Sequence, residues 1–272
     1  MVSLDSTNYY FTPFIILLTL MLTLPIAALF YVGREYILRA LTSPLFISSL
    51  AITLLGALIA ALLDLALGLP TAYALSRNLL PRGLSDVVSD VLLSPMTIPH
   101  TVVGLSLLIL TSPISPIPII RRLPLVDTMW GLVAAYFVVS APIAIGSMKQ
   151  VIDGVDVVYE ELALTMGLTR WGAFTKVVIP MVRRDLVTSY LLAWSRSVSE
   201  FGSIAILAYY VMAPPLINYA YPIPILVWYE YEVYGLAPAL GYASASLLIS
   251  IITLVVMGLI SRGRVRMPMI KP

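Results

Sequence analysis

The apolar run from Leu45 to Leu75 is too long for a single straight bilayer crossing, which takes about 20 residues of helix. Asp64, Gly68 and Pro70 lie inside it, so the run is expected to tilt, kink near Pro70 and protrude on the cytoplasmic side. It is one of six such runs, at residues 13–32, 45–75, 91–110, 129–148, 186–208 and 236–260. With 60% hydrophobic and 11% charged residues, the chain cannot fold as a soluble protein around one core. The expected fold is all-α: a polytopic membrane protein of six transmembrane helices forming one membrane domain over residues 1–272. Residues 1–12 are polar but lack the basic start of a cleavable signal, so the first apolar run reads as a retained helix.

Residue types exclude several chemistries. The chain has no cysteine and one histidine, which leaves no disulfide framework, thiol nucleophile or histidine-based metal cluster. A net charge of +2 is too small to suggest a nucleic-acid partner. Nor does any Gly-x4-Gly-Lys-Ser/Thr stretch offer a nucleotide site.

One polar segment, residues 155–180, interrupts the apolar pattern. Asp156, Glu160 and Glu161 make an acidic helix start, Gly167 a break, the stretch from Thr169 a second short helix, and Pro180 its expected end. An amphipathic helix lying on lipid headgroups usually carries a basic polar face, whereas this one is acidic. Glu161, Ala163, Gly167, Val177, Ile179 and Pro180 fall at the spacing E-A-A-x3-G-x9-I-x-L-P, with Leu162, Val177 and Ile179 as apolar replacements. This resembles the EAA loop of ABC importer permeases. The resemblance implies a cytoplasmic coupling helix seated in a groove of a separate ATPase. Glu160, Glu161, Leu162, Ala163, Met166, Leu168 and Trp171 would then make the contact around the Gly167 turn. ATP and magnesium would be bound by that partner and no cofactor by this chain.

Three further stretches carry the resemblance. Residues 68–77 match G-x-P-x-A-Y-x-L-x-R, ending at Tyr73, Leu75 and Arg77. Pro95, Pro99, His100, Val102 and Gly104 resemble the corresponding element of molybdate, tungstate and sulfate permeases. Arg196, Glu200, Phe201 and Gly202 match their R-x3-E-F-G pattern. Arg196 and Glu200 lie four residues apart on one helical face, and two readings stay open: a structural ion pair, or an arginine lining the anion path or gate. For His100 the packed reading is preferred over a pathway role, since no partner is visible in the sequence.

Residues 209–235 hold seven tyrosines and four prolines with no lysine or arginine, which suits an aromatic belt at the outer surface. The sharper reading is an external ledge on which Glu230 and Glu232 meet a binding protein. Basic residues set the orientation: eleven fall on the coupling-loop side, four on the other, and Arg196 within a span. The resemblance implies a homodimer of permeases, two ATPase subunits and an extracellular binding protein delivering a tetrahedral oxyanion, molybdate or tungstate before sulfate. A channel or secondary transporter would show inverted repeats, and a membrane enzyme a denser cluster of Asp, His or Cys; neither pattern is present.

Overall fold

A computed structural model describes residues 10–81, 83–213 and 217–262. The polar start up to Tyr9, and Arg82, Arg264, Arg266 and Lys271 of the charge count, lie outside the described residues. The chain divides into two compact units. One comprises residues up to Ile47 with Leu226–Thr253, the other Ser48–Ile225 with the residues from Leu254 on.

In the first unit, α1 (Thr12–Gly33) starts on Pro13, whose fixed φ suits a first turn, and exposes apolar side chains along nearly its whole length. A short α2 (Ile37–Leu41) follows. α3 (Pro44–Ser76) begins here and runs on into the second unit as one helix through Pro70. Its 33 residues reach about 50 Å, well beyond the ~30 Å of hydrocarbon. At the other end of the chain, α11 (Ile223–Tyr234) and α12 (Leu236–Arg262) meet at Gly235, which sits at φ +87°.

The second unit holds most of the buried side chains. The run expected to span at 91–110 is instead a broken pair: α4 (Leu84–Leu93), a 3-10 turn at Ser94–Met96, and α5 (His100–Thr111), bent by 107°. Pro95 and Pro99 each lack an N–H, and Pro99 is extended at ψ 130°, so the helical ladder cannot continue across them. α6 (Met129–Asp153) runs five residues past its expected end. After α7 (Val158–Thr165) and α8 (Arg170–Ala173), a π-helical turn, Phe174–Val178, leads directly into α9 (Ile179–Val198). Pro180 therefore does not end a helix. It lies in the first turn of α9, where the wider π turn accommodates its missing N–H.

The expected span at 186–208 is also redrawn. α9 starts earlier and stops at Val198, and a separate short α10 (Ile204–Leu207) follows a turn. β1 (Val211–Ala213) and β2 (Ile217–Ala220) form an antiparallel pair, a small exception to an all-helical fold.

Among the described residues four helices are long and apolar enough to cross a membrane, namely α1, α3, α6 and α12 over Leu236–Val256. The bent α4–α5 pair makes a fifth if it counts as one span. α9 falls short on composition, because Arg183, Arg184, Asp185 and Arg196 lie within it. Two apolar clusters hold this unit together. One joins Tyr73, Met148, Ile152, Phe174 and Val178; the other joins Ile52, Leu132, Tyr136, Ile204 and Ile225. In lipid, close van der Waals packing across these clusters, rather than removal of apolar surface from water, fixes α3, α6 and α9 as a frame.

Candidate functional site

The polar segment folds as a helix, a glycine turn and a helix. Asp156 Oδ1 accepts the Val158 N–H at 3.0 Å, satisfying a free amide at the start of α7. Gly167 sits at φ +89°, in the left-handed region that side chains avoid, and Thr169 caps α8 by accepting the Gly172 N–H at 3.1 Å. The eight-residue set expected at a coupling contact divides between two faces. Leu162 (55% exposed), Met166 (85%) and Trp171 (64%) form an apolar outer surface, with Glu161 exposed and Leu168 half-buried beside them. Glu160 and Ala163 point inward instead and are buried.

Glu160 is held by residues that the sequence reading did not connect to it. Tyr73 Oη donates to its Oε2 at 2.6 Å and Arg77 Nε to its Oε1 at 2.7 Å. Arg77 Nη2 also donates to the carbonyls of Ile152 (3.2 Å) and Val155 (2.9 Å), at the C-terminal end of α6. Beside it Asp153 accepts from Ser76 Oγ at 2.5 Å and from Lys149 Nζ at 2.7 Å. The available signal was the four-residue spacing of Tyr73 and Arg77, which puts both on one face of α3.

A second polar site lies at the far end of α9. Arg196 Nη2 donates to Glu200 Oε2 at 2.9 Å, and His100 Nδ1 lies 3.0 Å from the same oxygen. Arg196 Nη2 is also 2.9 Å from His100 Nδ1. The single histidine thus has two partners that the sequence did not reveal. Glu200, 1% exposed, accepts on its other oxygen from Ser203 N at 2.8 Å and Ser203 Oγ at 2.9 Å, so one carboxylate also secures the turn into α10. Two glycines allow this approach. A Cβ at Gly202 would meet His100 Cβ at 2.8 Å, and one at Gly104 would meet the Ser203 carbonyl oxygen at 2.4 Å. Phe201 lies at the edge of the site, 36% exposed. Unlike Glu200, the side chains of Arg196 and His100 remain partly open, at 21% and 34% exposure. A partly open cationic side chain fixed by a buried carboxylate is the arrangement expected of a group that an anion could meet.

Two other carboxylates are buried. Asp64 is 1% exposed; its Oδ2 accepts from Ser140 Oγ at 2.5 Å, Oδ1 has no hydrogen-bond partner among the described residues, and the residue lines a cavity of about 240 Å³ with Thr71, Val91, Pro95 and Pro142. Glu230, expected on an external ledge, is 8% exposed and lines a cavity with Tyr36, Arg39 and Tyr242. Burial in α11 therefore removes Glu230 from any docking surface, and Glu232 alone of that pair is exposed.

A family model described as "Binding-protein-dependent transport system inner membrane component" matches residues 64–266. The chain belongs to that family. This permease is 33% identical over 210 residues to the molybdate/tungstate transport system permease protein WtpB of Thermococcus kodakarensis, covering 76% of its own length and 80% of the relative's. It is 31% identical over 252 residues to the sulfate transport system permease protein CysW of a Synechocystis species, covering 88% and 86%. Its fold is that of a bacterial ABC transporter involved in the import of the acidic polysaccharide alginate, with a TM-score of 0.69 over 96% of this chain and 97% of that one, at 17% identity. It is thus the permease subunit of an ABC importer, a multi-pass protein of the cell membrane and a transport subunit rather than an enzyme.

Proposed function

We propose that this permease carries a tetrahedral oxyanion, molybdate or tungstate, delivered by an extracellular binding protein and driven by two separate ATPase subunits acting on a permease homodimer. Six spans complete it when the bent α4–α5 pair and α9 both cross. The observation that carries the proposal is the unbroken helical path from α8 through the π turn into α9. It links Trp171, which with Leu162 and Met166 before the Gly167 turn makes the apolar surface, to the Arg196–Glu200–His100 site over 29 residues, about 43 Å of helix at 1.5 Å per residue. Closure of ATP-loaded ATPases would draw the two coupling segments together, and α9 would transmit that movement as a rigid element. Arg196 would meet the passing anion while Glu200 limits its hold, so that the anion can leave as well as enter. Sulfate is the second reading, supported by the likeness to CysW.

Molybdate uptake by the reconstituted complex tests the path, using Arg196→Gln against wild type. A variant that assembles and hydrolyses ATP but takes up at least about tenfold less anion supports the reading, since one lost charged hydrogen bond is worth about that factor. Normal uptake would remove Arg196 from the path. Competition among molybdate, tungstate and sulfate for the binding protein decides the anion.

A further inference from the structure

A surface helix moves membrane helices only through its attachments. α7 is eight residues long, joined to α6 by the short link at 154–157 and to α8 by the single left-handed turn at Gly167. On its far side the connection to α9 is covalent and helical. On its near side, besides the covalent link to α6, two side chains are buried: Ala163, which only packs, and Glu160, the one that hydrogen-bonds to α3, 7% exposed against 8% for Arg77. Arg77 extends from the end of α3 and binds Glu160 through Nε and the Ile152 and Val155 carbonyls through Nη2. A single planar guanidinium therefore ties together the ends of α3 and α6 and the start of the coupling segment. Tyr73 supplies the second donor to Glu160, and its ring lies 4.6 Å from that of Phe174, which in turn lies 5.2 Å from the exposed Trp171. An aromatic stack thus runs from the outer surface of the segment to α3.

We propose that Tyr73, Arg77 and Glu160 form a clasp through which the coupling segment drags α3 and the end of α6 along with α9, with Glu160 a positioning residue that never touches the ATPase. The inference rests on the coupling reading above. It separates two adjacent acids of identical type: Glu161 faces outward to the partner, and Glu160 faces inward to the permease. A bonded network of this kind, with both carboxylate oxygens accepting, moves as a unit, because displacing one member strands buried charge on the others.

The test uses the full complex in proteoliposomes with molybdate-loaded binding protein, and reads ATP hydrolysed per molybdate imported beside ATPase affinity and melting temperature. Arg77→Met and Glu160→Gln are expected to keep ATPase affinity within about twofold of wild type while raising the ATP used per anion about tenfold, the scale of one charged hydrogen bond. The double variant should be no worse than either single one, because the parts act as one device. Tyr73→Phe and Arg77→Lys, which preserve packing and charge respectively, should give intermediate ratios and guard against loss of folding. A purely structural role would lower the amount of folded complex and leave the ratio in the remainder unchanged; that result overturns the clasp. So does a fall in ATPase affinity for Glu160→Gln matching that of Leu162→Ala. A wild-type complex whose hydrolysis does not respond to loaded binding protein overturns the coupling reading and the clasp with it. A wild type that couples, with variants that couple equally well, overturns the clasp alone.

Discussion

The two oxygens of Asp64 meet different surroundings, one bound by Ser140 and the other buried without a partner among the described residues. A buried carboxylate with an unmet acceptor costs stability, so Asp64→Asn should be neutral or raise stability by about 1 kcal/mol. Ser140→Ala strands both oxygens and should lower it by about 1–3 kcal/mol. Thermal unfolding of the detergent-solubilised protein checks both; a large loss for Asp64→Asn would mean that its charge is required. Gly167 poses a different kind of constraint. A Cβ there meets nothing within 4 Å, but φ is +89°, so the objection to a side chain is conformational rather than steric. Gly167→Val should cost about 1–3 kcal/mol or reshape the turn, and ATPase association should fall with it. Gly167→Asn, which tolerates left-handed backbone, should retain most of it. Equal retention by the valine variant would show that the turn is not the hinge.

At the scale of elements, the position of α5 follows from two glycines and two prolines. Pro95 and Pro99 break the incoming helix, and Gly104 and Gly202 let α5 lie against the turn after α9, bringing His100 to Glu200. Gly104→Ala should push α5 from the Ser203 carbonyl, at a cost of about 1–3 kcal/mol, and loosen the His100–Glu200 contact. Lower melting temperature together with reduced uptake is the expected result; unchanged uptake would detach the histidine from transport. The motifs named these residues as a set, yet could not show which of them meet. Arg196 and Glu200 were legible as one helical face. The contact of His100 with Arg196 spans 96 residues of sequence, and that with Glu200 is longer still, so both depend on packing that no local pattern encodes.

For the whole molecule, the absence of cysteine makes orientation directly measurable, because any single introduced thiol is the only one. Met166→Cys, at an 85% exposed position, should react with a membrane-impermeant maleimide only from the cytoplasmic side, and Ile119→Cys, at 78%, only from outside. Labelling of both from one side would contradict the assignment based on basic residues.

Hydropathy and residue spacing were enough to establish a membrane permease and to mark out the polar helix–turn–helix segment at 155–180, since lipid requires long apolar helices and a glycine break stands out between them. The long apolar runs coincide with helices α1, α3, α6 and α12, which span Thr12–Gly33, Pro44–Ser76, Met129–Asp153 and Leu236–Arg262. Tertiary structure decided the rest. It divided the run at 91–110, ended α9 at Val198 and carried helix through Pro180, because proline at a helix start and proline within a helix look alike until the preceding turn is known. It also decided which acid faces inward. Glu160 and Glu161 are adjacent and chemically identical; only the position of Arg77, brought to α7 by the packing of α3 on α6, makes one of them a buried anchor and leaves the other at the surface.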